Sequence, residues 1–128
     1  MSEIKTHHIA LQRGDRERAI VFFTKLLGYK LVKTSRLPVH LSREIFDIED
    51  EPEVLFFTNE EDTSFEVFIT KHGVTQDFSH VCLVVPDLEL FCRRCRDLGL
   101  RPFFVEKNGK QLVFVRDEDG NLFEIKQS

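Results

Sequence analysis

Apolar positions along the chain change period twice, in the same way. Between Asp15 and Leu27, Ala19, Phe22, Phe23, Leu26 and Leu27 fall at helix-face spacing, and Gly28 ends the run. Leu88, Phe91, Cys92, Cys95 and Leu98 do the same from Asp87 to Leu98, and Gly99 closes it. Around these helices lie short stretches rich in Val, Ile, Phe and Thr: residues 4–12, 29–35, 53–58 and 64–70 in the first half, and 78–85, 101–106, 111–116 and 121–126 in the second. Each half therefore reads strand, helix, strand, strand, strand. The expected class is α+β, built as two tandem βαβββ modules, module one over 4–71 and module two over 78–127. A half-chain of about 60 residues is marginal as an independent core, so residues 1–128 are expected to form one domain.

The repeat extends to individual residues. His8-Ile9-Ala10-Leu11 returns as His80-Val81-Cys82-Leu83, and Phe65-Glu66-Val67 returns as Phe123-Glu124-Ile125. Strand side chains alternate between faces. If the more apolar face packs under the helix, His8 and Glu66 share the opposite face of module one, and His80 and Glu124 that of module two. Glu66 follows His8 by 58 residues and Glu124 follows His80 by 44, so module one carries 14 more. The extra length falls near residues 36–50, where Leu41 to Ile48 is compatible with a short helix, and such an insertion is a candidate cover for a binding site.

Two neutral imidazoles and two carboxylates are N and O donors suited to a divalent ion such as Zn, Ni, Co, Fe or Mn, with positions left for water or substrate. His7, His40 and His72 have no counterpart in the other module and read as surface residues. Asp117, Asp119 and Asn121 imitate the start of a calcium loop, but Leu122 stands where such a loop needs Gly, which leaves a turn between strands. Cys92 and Cys95 spell C-x-x-C, yet both sit on the apolar stripe of the second helix and read as core.

Composition narrows the classes further. A net charge of −4 and no basic stripe beyond Arg93, Arg94 and Arg96, which read as a wet helix face, argue against nucleic acid. No apolar run approaches the roughly 20 residues that cross a bilayer, and Met1-Ser2-Glu3 does not open a signal segment. Three cysteines fit a reducing compartment, so the expected location is the cytoplasm. Phe contributes 13 residues against one Tyr and no Trp, and a Phe-lined cleft is one use for them beside the core.

These residues carry a family resemblance. His8-Ile9-Ala10-Leu11, the Phe22-Phe23 to Leu26-Leu27-Gly28 helix end, His80 through Asp87, and Arg116 through Glu124 together resemble the vicinal oxygen chelate superfamily of glyoxalases, bleomycin-resistance proteins and dioxygenases, over nearly the whole chain. The resemblance implies sheets curved around a metal cleft, often completed in a homodimer. It places His8, Glu66, His80 and Glu124 at the ligand positions of glyoxalase I-like members, whereas dioxygenase-like and fosfomycin-resistance members use two His and the final Glu. It implies a metal-dependent glyoxalase-type lyase or isomerase, lactoylglutathione lyase-like, in which a metal-stabilised enediolate forms on a small oxygen-chelating substrate. Glu66 or Glu124, loosened from the metal, would be the catalytic base.

The match has gaps. Bacterial glyoxalase I holds glutathione with an Arg four residues after its first His and an Asn four residues after its first Glu; here those places hold Gln12 and Thr70. Arg13, next to the first, should point to the other face of its strand. Two further readings from the same superfamily are a metal-free, non-catalytic drug-binding protein of the bleomycin-resistance type and a fosfomycin-type thiol or water addition enzyme. For the latter, Lys126, on the face of Glu124, would attract an anionic substrate.

Overall fold

Asp15 and Asp87 start the two helices by the same device: each carboxylate accepts a hydrogen bond from the backbone N–H three residues on, of Arg18 and of Leu90, at 3.0 Å. The computed structural model describes residues 6–61, 63–71, 74–75 and 77–128; His72 lies outside them. The chain divides into two compact units, Met1–Gly73 and Val74–Ser128.

In the first unit, β1 (His8–Arg13) leads into α1 (Arg16–Val21), which widens into a π-type turn over Phe22–Leu26. β2 (Lys30–Arg36), α2 (Val39–Leu41, continued by a π-type turn over Ser42–Phe46), β3 (Glu53–Thr58) and β4 (Ser64–Ile69) follow. The sheet order is β1-β4-β3-β2, with β1 parallel to β4 and the other pairs antiparallel. The second unit has β5 (Val81–Val85), α3 (Leu88–Asp97), β6 (Phe103–Lys107), β7 (Lys110–Arg116) and β8 (Leu122–Gln127) in the order β5-β8-β7-β6, with β5 parallel to β8. These are two four-stranded mixed sheets in tandem βαβββ modules, an α+β fold.

Both helices hand over to the next strand through a glycine in the left-handed region, Gly28 at φ 77° and Gly99 at φ 80°, a conformation that costs other residues steric strain. Each unit packs its own core under its helix. In the first, Phe23 is fully buried, stacked on Phe57 with ring centres 4.8 Å apart and tilted against Phe65 at 5.1 Å. In the second, Phe123, Ile125, Val113 and Val115 of the sheet and Phe91, Cys92 and Cys95 of α3 are buried. Arg13, at the end of β1, is also buried, with its guanidinium 5.5 Å over the Phe22 ring. It therefore points to the helix side, as alternation from Gln12 requires.

Cys92 and Cys95 are buried free thiols and Cys82 is an exposed one. Burial pushes the Cys95 thiol up to about 12 and raises Cys92 as well. Partial burial, reinforced by the nearby Glu124 carboxylate, raises Cys82. A disulfide-exchange reagent at mildly alkaline pH is therefore expected to titrate one thiol in the native chain, Cys82, more slowly than free cysteine, and all three after denaturation. Mass-mapped labelling of Cys92 or Cys95 in the native protein would contradict this packing.

The predicted strand at 78–85 is shorter than expected. Asp77 accepts from the N–H of Ser79 at 2.8 Å, which bends the chain ahead of Val81 and leaves His80 at the strand entrance. The loop between β2 and β3 is the insertion foreseen near 36–50. Leu37 N–H donates to the Pro52 carbonyl at 2.9 Å, so the strands continue side by side to the loop's base. Arg43 and Glu49 form an ion pair across it, and that hydrogen bond holds Glu49 below the usual carboxylate range.

Candidate metal centre

Register places each glutamate. Glu66 lies opposite Ala10 of β1 and Phe56 of β3, and Glu124 lies opposite Cys82 of β5 and Phe114 of β7. On either side of each glutamate in sequence, Phe65 with Val67 and Phe123 with Ile125 turn into the core. The glutamates are thereby forced to the face away from the helix, each beside an aromatic ring. The repeated pair Phe56 and Phe114 was visible in the sequence only as two more phenylalanines; strand register reveals that they occupy equivalent places.

His8, at the start of β1, brings its Nε2 to 3.7 Å from Glu66 Oε1, and His80 brings its Nε2 to 3.8 Å from Glu124 Oε1. These distances are too long for hydrogen bonds. They fit two ligands of one ion: donors each 2.0–2.2 Å from a metal and roughly 110–125° apart lie about 3.4–3.8 Å from one another. The glutamate side chains keep 30% and 17% of their exposure, and those of the histidines 36% and 44%, so each pair is reachable.

The other ring nitrogens agree with that use. His80 Nδ1 is 3.0 Å from the Phe78 carbonyl oxygen. Because a carbonyl only accepts, Nδ1 is the donor, and the neutral ring in that tautomer has its Nε2 lone pair on the side of Glu124. His8 Nδ1 is 2.9 Å from His7 Nδ1, so one of the two rings donates to the other. His7, read from the sequence as a surface residue, is therefore a neighbour of the candidate ligand; its ring also lies 6.0 Å from Phe56, which packs edge-on to His8 at 6.1 Å. A histidine adjacent to a ligand histidine in sequence was the available signal.

The structure brings His8 to Glu66 and His80 to Glu124. Among the described residues, no group of three or more His, Cys, Asp and Glu gathers as a metal cluster. Asp117 is buried in a different role: its carboxylate accepts from the N–H groups of Asp119 and Asn121 and from Asn121 Nδ2 at 2.8–3.0 Å, holding the turn into β8. His40 is exposed on α2. No helix among the described residues is long and apolar enough to cross a membrane.

Residues 5–125 match the model of the Glyoxalase/Bleomycin resistance protein/Dioxygenase superfamily, and the chain belongs to that family. It is 30% identical to the lactoylglutathione lyase of Escherichia coli O157:H7 over 125 residues, 92% of this chain and 88% of that protein. It is 26% identical to lactoylglutathione lyase GLX1 of Arabidopsis thaliana, of whose length the match spans only 43%. Among solved structures, Leishmania major glyoxalase I superposes with a TM-score of 0.74 at 21% identity, covering 98% of this chain and 87% of the other. A fosfomycin resistance protein, FosX, of Listeria monocytogenes, solved with Mn(II), gives 0.75 at 13% identity, with 100% and 94% covered. These likenesses place the chain in the glyoxalase superfamily by sequence and fold.

Proposed function

We propose that the protein is a metal-dependent lyase or isomerase of the glyoxalase type, acting on a small substrate that offers two neighbouring oxygens. The observation that carries the reading is the doubled His–Glu pair, each with Nε2 and Oε1 3.7–3.8 Å apart. His8 with Glu66, and His80 with Glu124, would be the donors to a divalent ion. The names of the sequence relatives and the Mn(II) of the fosfomycin-resistance structure support the same chemistry.

When bound, a divalent ion such as Zn, Ni, Co, Fe or Mn supplies a Lewis acid that polarises a substrate carbonyl and lowers the cost of charge left by a departing proton. The residues do the rest. Nδ1–H of His80, fixed on the Phe78 carbonyl, sets the tautomer and the ring direction. Phe56 and Phe114 lie across from the two glutamates in the strand pairing. Glu66 or Glu124 would act as the base, taking the substrate's α-proton onto a carboxylate oxygen.

The test is metal content. Protein purified in the absence of chelators is expected to hold one equivalent of a transition metal per site by elemental analysis, and to regain it after stripping. A protein that repeatedly neither carries nor binds one would favour the second reading, a non-catalytic binder of apolar small molecules, for which the cavity of about 210 Å³ lined by Ala10, Phe46, Ile48 and Phe68 provides the room.

A further inference from the structure

The two halves of the fold hold their histidines by different means. In the second, His80 Nδ1 donates to the Phe78 carbonyl at 3.0 Å, within a turn where Asp77 accepts from the N–H of Ser79 at 2.8 Å. Ser79 corresponds to His7 in the repeat, since each directly precedes the histidine that begins it. In the first half the same task falls on a side chain. His8 Nδ1 lies 2.9 Å from His7 Nδ1, with the ring planes at 84° and the ring centres 5.2 Å apart, so the rings meet through their edges and do not stack. The His7 ring is also 6.0 Å from that of Phe56, the residue opposite Glu66 in the strand pairing.

A carbonyl oxygen can only accept, but an imidazole nitrogen accepts or donates according to its tautomer. At 2.9 Å one hydrogen must lie between the two Nδ1 atoms, because two lone pairs or two N–H groups would repel there. Two arrangements of neutral rings satisfy the contact. With the hydrogen on His8, its Nε2 keeps a lone pair on the side of Glu66, whose Oε1 is 3.7 Å away. With the hydrogen on His7, the His8 ring carries its proton on Nε2 and has no lone pair there to give a metal. Which ring accepts therefore decides whether His8 can be a ligand through Nε2.

We propose that His7 is a positioning residue of the first His–Glu pair: its Nδ1 accepts the hydrogen bond from His8 Nδ1–H, fixing the tautomer and ring direction in which His8 Nε2 can hold a divalent ion. The proposal rests on the reading of His8 and Glu66 as metal ligands. It makes the two halves alike in what they do and unlike in how they are supported. In the second half the acceptor is main chain, which every residue carries; in the first it depends on which side chain stands at position 7.

The test is zinc affinity at mildly alkaline pH, by competition against a chromophoric chelator, in two variants of the full-length chain that separate accepting from packing. His7→Phe keeps a ring beside Phe56 but has no acceptor, and it is expected to bind zinc about 10–100-fold more weakly than wild type, the usual loss when a ligand histidine is deprived of its hydrogen-bond partner. His7→Asn has no ring, but its Oδ1 stands on Cγ as Nδ1 does in histidine, and it is expected to stay within about threefold of wild type. A role in packing alone would reverse that order. In the zinc-loaded wild type, long-range proton–nitrogen NMR correlations of the imidazole rings are expected to show His7 protonated on Nε2 and bare at Nδ1. Zinc affinity of His7→Phe equal to wild type or above that of His7→Asn, or a proton on His7 Nδ1 with zinc bound, overturns the proposal. Glu66→Ala tells its failure from that of the metal reading. Zinc affinity lost there but kept in His7→Phe would leave a metal site in which His7 has no part, whereas affinity kept in both would remove the metal site and the proposal together.

Discussion

Glu66→Ala and Glu124→Ala are each expected to weaken zinc binding by at least about 10–100-fold, the loss seen when a residue that only supports a metal ligand is removed. A ligand itself should cost no less. The argument is geometric: in each unit, one imidazole nitrogen and one carboxylate oxygen stand at the spacing of two ligands on one ion. His80→Ala should lose affinity comparably, because its Nδ1 is already committed to Phe78 and its Nε2 lone pair is aimed at the pair's gap. Competition against a chromophoric chelator measures the effect, with Glu106→Ala, on an exposed strand end, as the control. Equal zinc affinity in wild type and both glutamate variants would sink the metal reading.

The second large effect concerns the fold. Phe23→Ala should destabilise the protein by about 3–5 kcal/mol, since it deletes a fully buried ring and the neighbours cannot all close the void. Phe23 touches three rings, Phe22 edge-on at 5.3 Å, Phe57 stacked and Phe65 tilted, so it loses aromatic packing as well as apolar burial. Such a loss is a large share of the 5–15 kcal/mol typical of a domain. Phe104→Ala, at a site 46% exposed, should stay within about 0.5 kcal/mol of wild type. Urea denaturation with matched slopes decides; a Phe23→Ala midpoint equal to wild type would show that α1 does not anchor the first unit as described.

These contrasts also mark what was legible in the chain. The two helix starts could be read because Asp15 and Asp87 carry their own local reason, an N-cap, and the two ends because Gly28 and Gly99 meet a backbone requirement. Alternation sufficed to place His8 with Glu66 and His80 with Glu124 on matching faces, since each glutamate is flanked by residues that must be buried. The widening of α1 at Phe22–Leu26 was not legible, because a π-type turn shifts the helical period by too little, over too few residues, to register in a pattern of apolar positions. The burial of Arg13 escaped for a different reason: a guanidinium under a helix is stabilised by its particular surroundings, the Phe22 ring among them, and no single-residue preference encodes those. The surroundings of His7 escaped similarly, because a neighbour distant in sequence, such as Phe56, leaves no trace near it.

The base of the β2–β3 loop has an evolutionary consequence. Module two joins its equivalent strands, β6 and β7, by Asn108 and Gly109 alone, both in the left-handed region, whereas module one spends the span from Leu37 to Pro52 on the same connection. Since Leu37 and Pro52 are already bonded across the strand ends, sequence between them can lengthen, shorten or drift without moving the strands that bear His8 and Glu66. That span is thus free to vary under selection while the strands on either side of it keep their register.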